Sequence, residues 1–151
     1  MLLGKNLSDE ETAEKLMRHR ARIMPAFIAL FAAIHMVAAR DIMKNGSVID
    51  VSMLSWIVMA GVLLVVVATG GSIVMRRPGL REFHDDELMR AHRAKAYTYG
   101  FWVMMLGGLA VLLGSHWISA PIALLIHSVL GLGTIAATLR YTMLERHALK
   151  Q

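Results

Sequence analysis

Cysteine is absent from this 151-residue chain, which excludes disulfides, a thiol nucleophile and any cysteine-ligated metal centre. There is no glycine-rich phosphate loop, no His-Glu-x-x-His pair and no nucleophile elbow. The grouped glycines, Gly107-Gly108 and Gly131-x-Gly133, fall inside apolar stretches and read as helix-packing glycines rather than nucleotide cradles. Low-complexity tracts are also missing. The most informative absence is that of charge. Residues 23–39, 51–75 and 96–139 contain no Asp, Glu, Lys or Arg. A bilayer core of roughly 30 Å takes about 20 apolar residues of helix, so each of the first two stretches makes one span. The third is 44 residues long and is interrupted by Gly114-Ser115-His116 and Ser119-Ala120-Pro121, so it makes two.

The charge that is present lies between these stretches. Of the 16 Lys and Arg residues, 14 fall in three segments: Lys5 to Arg22, Arg76 to Lys95, and Arg140 to Lys150. Only Arg40 and Lys44 occupy the intervening loop after the first span. Excess Lys and Arg in short loops stays on the cytoplasmic side, which predicts both termini inside. The net charge of +5 is then a topology signal first and an attraction to anionic headgroups second. It does not point to direct nucleic-acid binding, because every basic stretch has acidic neighbours. About twenty residues, several of them acidic, precede the first apolar run, which is unlike a cleaved signal peptide.

The expected fold is all-α: one membrane domain over 1–151, a four-helix antiparallel bundle preceded by an amphipathic cytoplasmic helix. The arm covers about 8–22, with Ser8 and Glu11 as a capping box and Glu11/Lys15 and Glu14/Arg18 as acid-before-base pairs. Spans are expected at about 23–43, 51–75, 96–113 and 120–140. Pro25 marks a kink or restart between arm and first span, Arg76-Arg77-Pro78-Gly79 stops the second, and Pro121 suits the first turn of the fourth. Tyr97, Tyr99, Trp102, Trp117 and Tyr141 fit interfacial aromatic belts. The twelve Met residues read as gap-fillers in apolar packing. The segment before the third span, Asp86-Glu87-Leu88-Met89-Arg90 then His92-Arg93-Ala94-Lys95, echoes Glu14-Lys15-Leu16-Met17-Arg18 then His19-Arg20-Ala21-Arg22 before the first. Two halves related by a parallel repeat would give this match, as would two independent membrane-entering helices.

Candidate chemistry is sparse. No catalytic set is identifiable and no metal site is expected. No acidic or basic residue lies deep in a span, which argues against a proton-coupled pump. The exceptions among titratable groups are His35 in span one and His127 in span four, at similar depth in adjacent spans and on faces of small residues. One reading is a cofactor site for haem b or a quinone. The other is two neutral imidazoles hydrogen-bonded across helices. His84-Asp85-Asp86-Glu87 with His92 has metal-ligand residue types, yet acids at a helix start are explained by capping and by the helix dipole. His19, His116 and His147 read as solvated or interfacial.

The stretch Asp85-Asp86-Glu87-Leu88-Met89-Arg90-Ala91-His92-Arg93-Ala94-Lys95-Ala96, followed by Gly100-Phe101-Trp102, resembles the start of the third span in small uncharacterised bacterial four-helix integral membrane proteins. The ending Leu139-Arg140-Tyr141-Thr142-Met143-Leu144-Glu145-Arg146 is similar too, so the resemblance covers mainly 82–147. Such proteins are often encoded beside small helix-turn-helix regulators, which implies a regulatory or partner role in the bacterial inner membrane. The leading expectation is therefore a non-enzymatic membrane protein that meets a protein partner, or a second copy of itself, through Asp85, Asp86, Glu87, Arg90 and Arg93. The alternatives are a membrane redox protein using His35 and His127, and a small-molecule transporter subunit.

Overall fold

The computed structural model describes residues 3–45, 51–69, 87–114, 117 and 119–149, and among these the only regular structure is helix. The elements are α1 (Leu3–Asn45), α2 (Val51–Thr69), α3 (Glu87–Gly114) and α4 (Ile122–Ala148). Each of the four is long and apolar enough to cross a membrane. Their large side chains point outwards: Leu30, Met36, Leu54, Leu106, Leu112 and Ile122 are all more than half exposed. A soluble domain would bury such residues, so the outward apolar surface suits a lipid surround.

Small residues fill the inside, as close helix approach in lipid requires. Ala21, Ala38, Ala60, Ala96 and Ala137 are buried. The α3–α4 contact is closest at Gly100, where an added Cβ would stand 2.7 Å from the Cβ of Ala137 and 2.9 Å from the carbonyl oxygen of Gly133. Down α4, the hydroxyls of Thr134, Thr138 and Thr142 each donate to the carbonyl one turn back, on Leu130, Thr134 and Thr138. This satisfies three hydroxyls where no water competes.

α4 packs against all three other helices, and α1 also packs on α2. Met24, Phe31 and Ala38 of α1 form one apolar core with Trp56, Ala60 and Leu63 of α2. A smaller core joins Val67, Ala96 and Tyr141 from α2, α3 and α4. α3 leans almost wholly on α4: beyond Gly100 none of its residues is buried. Two side chains link it to α2, with Arg93 donating to the Ala68 carbonyl (3.2 Å) and Tyr97 to the Leu64 carbonyl (3.1 Å).

Helix ends differ from the sequence expectations in instructive ways. Arm and first span are one helix that passes through Pro25 and begins at Leu3, so Ser8 lies inside it rather than at its start. Proline has no N–H to offer the carbonyl four residues back, and that carbonyl, on Ala21, accepts instead from Arg146 Nε at 3.0 Å. The break in the ladder is thereby satisfied by another helix. Pro121 is the residue before α4 rather than part of its first turn, with φ −57° and ψ 133°, and its carbonyl accepts from Leu124 and Leu125. α4 runs on to Ala148 and α3 starts at Glu87, both well past the edges of their uncharged stretches. The capping role expected of Asp85 or Asp86, and the Arg76-Arg77-Pro78-Gly79 stop, lie outside the described residues.

Candidate functional site

The structure brings His35 and His127 together. Their rings stack, with centroids 4.3 Å apart and planes 17° from parallel. α1 supplies His35 and, one turn earlier, Phe31; α4 supplies His127; α2 supplies Trp56. The Trp56 ring lies 4.5 Å from His127 and 6.1 Å from Phe31, so four rings form one cluster. Gly131 makes the arrangement possible. It stands one turn after His127, and any Cβ there would collide with the His35 ring.

Hydrogen bonding in the cluster is incomplete. His127 Nε2 donates to the backbone carbonyl of His35 at 3.3 Å, a bond that leaves Nδ1 of the neutral imidazole as a lone-pair acceptor. His127 Nδ1, His35 Nδ1 and Trp56 Nε1 are buried and without a partner among the described residues. All three side chains are more than nine-tenths buried. Nitrogens left bare in hydrocarbon cost several kcal/mol each, which makes this cluster a candidate site.

The ring geometry bears on haem as a ligand of this pair. Haem iron takes axial lone pairs from opposite sides, and imidazole lone pairs lie in the ring plane. In near-parallel stacked rings neither lone pair points at the other ring, so the pair as placed is not set for an iron between them. Among the described residues no three His, Asp or Glu side chains group as a metal set. What the cluster holds is four rings packed on one another, one indole N–H donor and imidazole nitrogens, all of them buried.

A second polar group lies at the opposite, basic end of the bundle. Arg20 of α1 pairs with Glu145 of α4, whose side chain is 3% exposed. The Arg20 guanidinium also lies over the Tyr141 ring, 5.7 Å from its centroid. Glu145 was invisible to charge counting, which placed it with its neighbours in a cytoplasmic tail. The available signal was periodicity: Gly131, Thr134, Thr138, Thr142 and Glu145 continue one buried stripe along α4.

The expected interaction residues are divided. Asp85 and Asp86 lie outside the described residues, as does His84. Glu87 and Arg90 are exposed on the first turn of α3, whereas Arg93 is turned inwards to α2. His92 is buried and His19 exposed, so residues matched between the two half-sequences occupy different surroundings. Their neighbours Arg20 and Arg93 nevertheless both reach across to another helix. His147 is exposed, and His116 lies outside the described residues.

No protein-family model, curated protein or solved structure matches the chain.

Proposed function

We propose that this is a multi-pass protein of the bacterial inner membrane. Its four spans are antiparallel, both termini are cytoplasmic, and it acts by binding a protein partner rather than by catalysis. The observation that carries this reading is the platform at the basic end. Three of the four helices continue there beyond their apolar lengths. α1 alone has 43 residues, about 64 Å at 1.5 Å per residue, against a hydrocarbon core of ~30 Å. The Arg20–Glu145 pair and Arg146 on the Ala21 carbonyl tie the extensions of α1 and α4, and Arg93 on the Ala68 carbonyl ties that of α3 to α2. Helix extensions tied in this way cost a partner less ordering entropy on docking than untied arms would. Glu87 and Arg90 stand exposed on that of α3, next in sequence to Asp85 and Asp86. Similarity to small bacterial four-helix membrane proteins adds a regulatory role to the reading.

The test is site-specific photocrosslinking in living cells, with the reactive residue at Glu87 or Arg90 and, as control, at lipid-facing Leu106. Discrete protein adducts are expected from the first two, at the size of a partner or of a second copy. With the reactive residue at Arg90, changing Asp85, Asp86 and Glu87 to Ala should weaken the adducts. Adducts to lipid alone at all three positions would overturn the proposal.

A further inference from the structure

We propose that the outer flank of the α3–α4 pair, at the basic end of the bundle, binds the phosphate of an anionic phospholipid through Lys95, Tyr99 and Arg140. The inference rests on the multi-pass reading, because the ligand is a molecule of the surrounding bilayer. It does not depend on the protein partner or on which end is cytoplasmic.

Helix packing fixes the flank. Gly100 turns one face of α3 onto Ala137 of α4. Tyr97 lies to one side of that face and reaches α2. Tyr99 lies to the other, where its ring meets Arg140, three residues after Ala137, with the guanidinium carbon 6.0 Å from the ring centroid. Lys95 stands one turn before Tyr99 on the same face of α3, and Trp102 and Leu106 stand one and two turns after it. These side chains are all exposed. The site therefore lies on the surface that meets lipid and needs no entrance.

Charge and hydrogen bonding set the chemistry of the guest. The only acids in α3 and α4 are Glu87 and Glu145, and Glu145 is buried against Arg20 on another side of α4. Among the described residues neither Arg140 nor Lys95 meets a carboxylate, and neither Arg140 nor the Tyr99 hydroxyl has a hydrogen-bond partner. A guanidinium carries five N–H donors, and contact with a ring face uses none of them. The guest must therefore bring acceptor oxygens and negative charge, and phosphate offers both in the geometry a guanidinium binds. The surroundings select what carries the phosphate. Trp102 and Leu106 continue the same face with apolar surface, which suits an acyl chain and which a free phosphate would leave uncovered. Tyr and Trp side chains take the level of headgroups, so a bilayer lipid meets the site in the orientation it already has. Two cations without an acid favour a headgroup of net negative charge, such as phosphatidylglycerol, over a zwitterionic one.

The experiment reconstitutes the full-length protein into bilayers of equal phosphatidylglycerol and phosphatidylethanolamine. The protein is then extracted in mild detergent and weighed with its retained lipid by native mass spectrometry. On a scale of about fivefold per basic residue near anionic lipid, retained phosphatidylglycerol should exceed phosphatidylethanolamine by about tenfold or more. Lys95→Gln and Arg140→Gln should each lower that preference about fivefold. Arg22→Gln removes the same charge from an exposed position on α1 and should leave it unchanged. Equal retention of the two lipids would overturn the proposal. So would a loss in Arg22→Gln as large as at the site, which would reduce the effect to diffuse surface charge. Displacement of the lipid by excess inorganic phosphate would assign the site to a free anion and overturn it as well. Should Arg140→Gln fail to fold, Lys95→Gln and the preference of the unaltered protein decide. A chain that stays out of the bilayer would overturn the multi-pass reading and this site with it, whereas an inserted chain without lipid preference overturns the site alone.

Discussion

Removing one partner of the Arg20–Glu145 pair is the sharpest perturbation this fold offers. The pair joins α1 to α4 at side-chain exposures of 12% and 3%, so neither charge is well solvated. Glu145→Ala removes from Arg20 its carboxylate partner on α4, while the Tyr141 ring stays 5.7 Å away. Breaking a buried pair from one side costs about 3–5 kcal/mol, chiefly because the surviving charge is stranded. Replacing both partners by apolar residues of similar size strands nothing, and is often neutral or stabilising. Glu145→Ala and Arg20→Met should therefore each be strongly destabilising, whereas Arg20→Met with Glu145→Leu should recover most of the loss. The assay is reversible unfolding by sodium dodecyl sulfate in mixed micelles, read by tryptophan fluorescence, as a double-mutant cycle. Independent sites add to within about 0.3–0.5 kcal/mol. Single losses that simply sum in the double variant would show that the two residues are not energetically paired, and the platform would lose its main tie.

Other outcomes follow from the same packing. Gly100→Ala should cost about 1–3 kcal/mol by overpacking against Ala137 and the Gly133 carbonyl, while Gly61→Ala, with nothing within 4 Å of its new Cβ, should be neutral or slightly stabilising in the same unfolding assay. Arg146→Ala should cost about 1.5–3 kcal/mol in the natural chain, as expected for a charged donor. In a Pro25→Ala background the cost should fall below half of that, because residue 25 then supplies the N–H that Ala21 needs; an unchanged cost would disconnect the two residues. Because the chain has no cysteine, single-Cys variants label cleanly. Lys44→Cys should react with a membrane-impermeant maleimide in intact spheroplasts and Arg90→Cys only after lysis, and the reverse result would invert the proposed topology.

Four helices could be read from three uncharged stretches, the third long enough for two and interrupted near Pro121, since a hydrocarbon-length apolar run has few other uses. Helix ends were less legible for a physical reason. Charge marks where lipid stops, not where backbone hydrogen bonding stops, and α1, α3 and α4 all carry on past that point. Pro25 misled for a related reason: its missing N–H matters only if Ala21 finds no other donor, and the donor is Arg146, 125 positions away. His35 and His127 stood out because an imidazole in an otherwise non-ionisable run is conspicuous. Trp56 did not, since an aromatic residue in an apolar run looks like packing until its indole nitrogen is found without a partner. Glu145 was masked by Arg140 and Arg146 on either side, although its helical phase with Thr138 and Thr142 placed it on the buried face.

The dependence of every helix on α4 has a consequence for how the protein is made. α4 follows the other three in the chain, so it is the last of them to leave the ribosome. α1 and α2 have each other to pair with while synthesis continues. α3 has almost nothing to pack against until α4 arrives, and its glycine face at Gly100 waits for Ala137. Arg20 likewise waits for Glu145, and the ring cluster lacks His127 until the same moment. Docking of α3 thus waits for α4, and a chain interrupted before Ile122 would leave α3 without the helix it packs on for the cell's membrane proteases to recognise.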